Sequence, residues 1–198
     1  MSIGWFVDGS YMMKVWNDYG RMVNVMDRLN FTKMRTLLER ELKDLIDEAY
    51  YFNAETDLGA DKASAFYNAL AFPPPSGPGL RVKLYWLQKR QLHWPSHLGG
   101  GPVVHPQTGV QYEQTQQKAV DVGLAFHLVR SHANRGWSKL VLCAGDGDFH
   151  EVAQYLVETK NVDLYLIGSM ETISEELRPY ARRVFEMSAI FDAVRGVR

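Results

Sequence analysis

Asp8-Gly9-Ser10 and Gly145-Asp146-Gly147-Asp148 each follow a short apolar run, Ile3 to Val7 in the first case and Leu140 to Ala144 in the second. Runs of that length suit strands buried on both faces. Each acidic turn leads into residues at helical spacing: Tyr11 to Trp16 after the first, and Phe149, Val152, Ala153 and Leu156 after the second. If the two strands lie side by side and parallel, Asp8, Asp146 and Asp148 emerge at one edge of the sheet, where open α/β sheets bind their ligands. Carboxylates crowded in this way cannot all stay ionised without a compensating cation. Oxygen donors of this kind suit Mg²⁺ or Mn²⁺.

The elements needed to hold those carboxylates can be followed along the chain. After the first strand, Lys14 to Asn30 is polar and Met-rich and reads as an irregular or partly helical connection. Asn30 or Thr32 can cap a helix in which Met34, Leu37, Leu38, Leu42 and Leu45 recur at core spacing. Glu48 to Asn53 reads as a second strand, and Ala60 to Leu70 as a helix stopped by Pro73-Pro74-Pro75. Leu80 to Leu87 alternates, with Val82, Leu84 and Trp86 on one side and Arg81, Lys83 and Tyr85 on the other, as a third strand would.

Gln88 to Gln116 contains Gly99-Gly100-Gly101 and three prolines and has no period, so a loop or hairpin excursion is expected near 88–116. A helix over Val120 to Val129 follows, with Gln117, Lys118 and Asp121 at its start. Beyond the central strand, Val162 to Ile167 is another buried strand. Thr172 and Glu175 offer a capping box for a helix through Tyr180, and Val184 to Phe185 a short last strand. Strands alternating with helices predict an α/β chain: a three-layer sandwich with a mainly parallel central sheet.

With 198 residues, 46% hydrophobic and 23% charged, the chain is expected to form one soluble domain spanning 1–198. Its single Cys143 falls in a buried strand, which excludes a disulfide framework and points to a reducing, cytoplasmic setting. No signal peptide is expected, because Asp8 interrupts the first apolar run. No stretch approaches the ~18 apolar residues of a membrane helix, so no membrane partner is expected.

The net charge of −1 is uninformative, but its distribution is not. Ala63 to Tyr112 contains no Asp or Glu, and Arg81, Lys83, Lys89 and Arg90 give the span +4. A basic segment facing an acidic metal site suits a polyanionic substrate. A solvated loop that simply lacks acids is the alternative. Trp86, Trp94 and Tyr85 lie among Lys83, Lys89 and Arg90, an interleaving that can stack single-stranded bases while following their phosphates. His93, His97 and His105, with Pro95 between the first two and no cysteine near, do not form a zinc pattern.

Trp5-Phe6-Val7-Asp8-Gly9-Ser10, Gln117-Lys118-Ala119-Val120-Asp121-Val122, Gly145-Asp146-Gly147-Asp148-Phe149 and Leu166-Ile167-Gly168-Ser169 occur in this order over nearly the whole chain. Together they resemble the NYN domain of the PIN-like nucleases, in particular its LabA-like bacterial branch. The resemblance implies a PIN-like parallel sheet with helices on both faces, and an acidic pocket that binds divalent metal and cleaves RNA. It places Asp8, Asp121, Asp146 and Asp148 on the family's catalytic and metal-binding positions. Three positions depart from it: Tyr11 where many relatives carry Asn, His127 where they carry a further Asp, and Arg182 where an Asp is frequent.

The expected reaction is hydrolysis of an RNA phosphodiester, with metal on Asp8, Asp146 and Asp121 acidifying a water. Asp148 would either bind the metal or orient a water, or else simply cap the following helix. Lys118, or a second metal, would stabilise charge on the phosphate. Ser10, Lys89, Arg90 and Trp94 are the further substrate-binding candidates, and a homodimer stays open. Two other readings compete. Gly145-Asp146-Gly147 also resembles a segment of haloacid-dehalogenase-like phosphatases, but Ser10 stands where that family needs a second Asp. A non-catalytic RNA- or protein-binding module on a nuclease-like fold is the other.

Overall fold

The computed structural model describes residues 2–55, 61–117 and 119–196, with backbone only for 61–64, 88, 89 and 115–117. Strand β1 (Ser2–Asp8) is apolar and almost wholly buried. It runs into helix α1 (Gly9–Met22), whose first turn is capped by the Asp8 carboxylate accepting from the Tyr11 N–H at 3.1 Å. The helix goes further than Trp16, through much of the stretch expected to be irregular. Met12, Val15, Trp16 and Tyr19 repeat at helical spacing, and Trp16 is fixed by a hydrogen bond from Nε1 to the Asp27 carbonyl at 2.9 Å.

After the short strand β2 (Arg28–Leu29), Asn30 caps α2 (Phe31–Leu42) by accepting from the Lys33 N–H at 3.0 Å. Lys43, in the left-handed region at φ 55, ends that helix. Leu45 therefore opens strand β3 (Leu45–Glu55) and is 74% exposed, so it is not part of the core stripe the spacing suggested. Helix α3 (Asp61–Ala71) stops before the prolines; Ala60 lies outside the described residues.

Strand β4 (Arg81–Gln91) and antiparallel β5 (Glu113–Gln117) make the excursion a hairpin, extended by isolated bridges at His93–Pro102 and Val104–Gln111. Helix α4 (Val120–Arg135) returns to the central strand β6 (Lys139–Cys143). Next come a 3-10 turn over Gly147–Phe149, helix α5 (His150–Gln154) with a π turn after it, and β7 (Asp163–Gly168).

The helix expected from Thr172 is absent. Ser169 to Leu177 forms turns, and only Arg178–Tyr180 is a 3-10 turn. The Thr172 hydroxyl is engaged with the Ser169 carbonyl and the Tyr11 hydroxyl instead of capping. The Arg178 guanidinium satisfies the carbonyls of Met170 and Ile173. Strand β8 (Ala181–Glu186) follows, then an unanticipated helix α6 (Met187–Val194), and β9 (Arg195–Gly196), which pairs with β2.

The main sheet has the order β5-β4-β3-β1-β6-β7-β8. All pairings are parallel except β4–β5. One core packs α1, α2 and α6 against the sheet, and the other packs α4 and α5 against its opposite face. Burying each large apolar side chain stabilises these layers by roughly 1.5–3 kcal/mol. From β1 the chain works outward to β3 and β4 on one side, then crosses to β6, β7 and β8 on the other. The gap between the carboxyl ends of β1 and β6 is therefore a topological switch point, the place where such sheets bind ligands. Among the described residues, no helix is long and apolar enough to cross a membrane.

Candidate active site

Asp8 ends β1 opposite Phe52 of β3, and Asp146 follows β6 by three residues, on β1's other flank. Asp8 is 9% exposed; Asp146 and Asp148 are exposed. Asp146, and not Asp148, is the cap of the turn that follows: its carboxylate accepts from the Asp148 N–H at 3.1 Å. That leaves the Asp148 carboxylate without a capping role. Asp121 lies half-buried in the first turn of α4.

Asp8 and Asp121 feel the carboxylates around them. Burial pushes Asp8 above the usual carboxylate range; the Tyr11 N–H opposes this, and the charges of Asp121 and Asp146 add to the rise. Burial also raises Asp121, helped by the charges of Asp146 and Asp148. Among the described residues, no Lys, Arg or His forms an ion pair with any of the four. The result is a concentration of negative charge with no ion-paired protein cation among the described residues.

Neighbouring groups escaped the sequence reading. Ser10 Oγ donates to Asn53 Oδ1 at 3.1 Å, and Asn53 Nδ2 donates to Tyr67 Oη at 2.8 Å and to Glu55 Oε1 at 3.2 Å. The Tyr67 hydroxyl also bonds Glu55, and burial with that contact pushes Tyr67 up to about 12. Asn53 and Glu55 end β3 beside Asp8. Applying the strand-end rule to β3 as well as to β1 and β6 was the signal that could have found them. At the end of β8, the Glu186 carboxylate accepts from the Met170 N–H at 2.9 Å.

Tyr11 spans the ends of β6 and β7. A Cβ at Gly145 would sit 2.4 Å from its ring, and one at Gly168 2.1 Å from its hydroxyl, so the two glycines form the slot that admits it. Its hydroxyl bonds the Thr172 hydroxyl at 2.9 Å, and burial pushes it up to about 12. Cys143 is fully buried and its thiol is likewise pushed up to about 12, which excludes it as a nucleophile.

Of the substrate-binding candidates, Arg90 and Trp94 are exposed on the β4–β5 hairpin. Trp86 pairs with Glu55, the last residue of β3, so Leu87 to Gln91 carry the hairpin past the carboxyl edge of the sheet. Lys89 lies on this part of β4. Lys118 lies outside the described residues. Tyr85 turns inward against α4, whereas Trp86 is 59% exposed.

A family model described as NYN domain matches residues 3–188. The chain belongs to the NYN domain family. NYN domains are part of the PIN-like nuclease superfamily, and the α/β sandwich seen here is consistent with that membership. This NYN domain is also similar in fold to the crystal structure of a protein of unknown function from Vibrio parahaemolyticus. The TM-score is 0.61 at 16% identity, over 94% of this chain and 92% of that one. No curated protein sequence matches the chain.

Two of the departures noted above lie away from the carboxylates of this NYN domain. His127 is six residues, about 9 Å, along α4 from Asp121, with its ring packed on Tyr50 and Phe52. Arg182 is near the amino end of β8, paired with Asp163 at 2.7 Å. Only Tyr11 reaches the carboxyl edge. Among the described residues, no three His, Cys, Asp or Glu side chains are gathered closely enough to enclose an ion.

Proposed function

We propose that this NYN domain is a divalent-metal-dependent ribonuclease that hydrolyses phosphodiester bonds in single-stranded or structured RNA in the cytoplasm. The observation that carries the reading is that burial raises Asp8 and Asp121 and the charges of neighbouring carboxylates add to the rise, while among the described residues no Lys, Arg or His forms an ion pair with them. The donors are hard oxygens, the kind Mg²⁺ and Mn²⁺ take. Mg²⁺ commonly binds through one or two carboxylates and keeps several waters, so a ready-made cage of three side chains is not required. Asp8, Asp121, Asp146 and Asp148 would hold the ion, one or two of them directly and the others through its waters, and the ion would supply charge compensation and an acidified water.

The chain's own groups divide the remaining work. The α1 cap fixes Asp8 in direction, and the turn cap fixes Asp146. Asp148, free of capping duty, can accept a hydrogen bond from an attacking water. Ser10, its proton held by Asn53, presents the lone pairs of its hydroxyl at the same edge. The hairpin bearing Lys89, Arg90 and Trp94 overhangs that edge and offers charge and a stacking surface to RNA.

Purified protein incubated with single-stranded RNA and Mg²⁺ or Mn²⁺ is expected to cleave it, and EDTA to stop cleavage. Asp146→Asn is expected to lower the rate about 10²-fold or more. Cleavage that survives EDTA would remove the metal from the proposal. RNA binding without turnover, indifferent to Asp146→Asn beyond its change of charge, would replace the nuclease with a binding module.

A further inference from the structure

On the α4 face of the sheet lies a cavity of about 440 Å³, distinct from the carboxylate cluster. Arg81 and Lys83 of β4 line one wall, His127, Arg130 and Arg135 of α4 the other, and Glu48 of β3 the floor. Glu48 is 5% exposed and saturated with partners. It accepts from Arg81 Nη1 at 2.9 Å, faces Arg135 Nε at 3.5 Å, and takes the Ser131 hydroxyl hydrogen bond. Ser131 in turn accepts from Trp137 Nε1 at 3.0 Å. The floor thus anchors two arginines at the cavity mouth.

Four cations against one carboxylate leave a formal excess of three positive charges. Among the described residues, neither Lys83 nor Arg130 has a carboxylate partner, so both are available to a ligand. Burial, with the charges of Lys83 and Arg130, holds His127 below the usual imidazole range, so it lines the wall as a neutral hydrogen-bonding ring.

Helix α4 runs from the carboxylates to the cavity. Arg81, Lys83 and Tyr85 share one face of β4. The Tyr85 phenol lies against Gly123, where a Cβ would come within 1.9 Å of its hydroxyl. Gly123 is in the turn of α4 that carries Asp121. Nine residues, about 14 Å, separate Asp121 from Arg130 along the helix.

We propose that this cavity receives phosphate groups of the RNA strand whose cleavage point lies at the carboxylates, several nucleotides away. The inference rests on the nuclease reading and gives its substrate a path that the hairpin does not provide.

The test uses the full chain and a labelled oligouridylate of about 12 nucleotides. Binding is measured as a function of KCl in the Asp146→Asn background, with and without Lys83→Gln and Arg130→Gln together. Loss of two phosphate contacts is expected to lower the slope of log K against log salt by about 1.4. With Asp146 intact, the double variant is expected to raise KM for long RNA with kcat unchanged. A trinucleotide too short to reach the cavity should be cut as before. Glu48 and its partners stay intact, and a thermal melt checks the fold.

An unchanged salt slope overturns the proposal. So does a cavity that binds inorganic phosphate while oligonucleotide affinity is indifferent to both substitutions, since that describes a free-anion site. If no RNA is cut yet the slope falls, the nuclease reading fails and the cavity stands. If cleavage requires Asp146 and the slope does not move, the reverse holds.

Discussion

The Asp8 carboxylate caps α1 and is also pushed above its usual range, chiefly by burial. A raised aspartate favours the folded state most when protonated. Its contribution is full below the unfolded value and is lost as pH rises through the folded one. Asp121 shifts the same way. In metal-free protein, the stability owed to these two groups should therefore decline from the ordinary aspartate range upward, and Asp8→Asn should flatten that decline in denaturant titrations. Asn keeps the capping oxygen, so Asp8→Asn should melt at or above the parent without divalent ions. Asp8→Ala should fall below Asp8→Asn by about 1 kcal/mol. Mg²⁺ should raise the melting temperature of the parent and not of Asp8→Asn. A parent indifferent to Mg²⁺ would count against ion binding at this residue.

Among the elements, the crossing of Tyr11 over the ends of β6 and β7 carries the sharpest packing constraint. Gly168→Ala would drive a methyl into the phenol and is expected to cost about 1–3 kcal/mol. In a Tyr11→Ala background most of that cost should vanish. Equal costs in both backgrounds would mean that the contact does not matter. This crossing was not legible in the chain, because Gly145 and Gly168 acquire a common purpose only once two strands lie adjacent. The strands themselves were legible, since β1, β6 and β7 are unbroken apolar runs. The α1 cap and the Asn30 cap follow from local chemistry in the same way. Leu45 misled because helical spacing continued past Lys43, where the backbone turns left-handed. Thr172 misled because its hydroxyl found a tertiary partner. The places of Asp8 and Asp146 at the carboxyl ends of β1 and β6 were readable from the chain. Arg130 and Arg135 look like an ordinary solvated helix face until β4 is placed opposite.

At the scale of the molecule, the β4–β5 hairpin is an appendage. From Gln91 to Tyr112 no residue is buried. Replacing 93–111 with a short turn should leave the melting temperature within a few degrees of the parent while weakening RNA binding. A collapse in stability would instead make the hairpin part of the core. The sheet proper is less forgiving, because its first strand in sequence is a middle strand in space. β1 needs β3 on one flank and β6 on the other, and the aspartates at positions 8 and 146 become neighbours only when that second flank closes. A chain emerging from the ribosome therefore holds half of the acidic pair until most of the polypeptide exists. Under the nuclease reading proposed above, strand order alone would keep the chain from cutting its own messenger during synthesis.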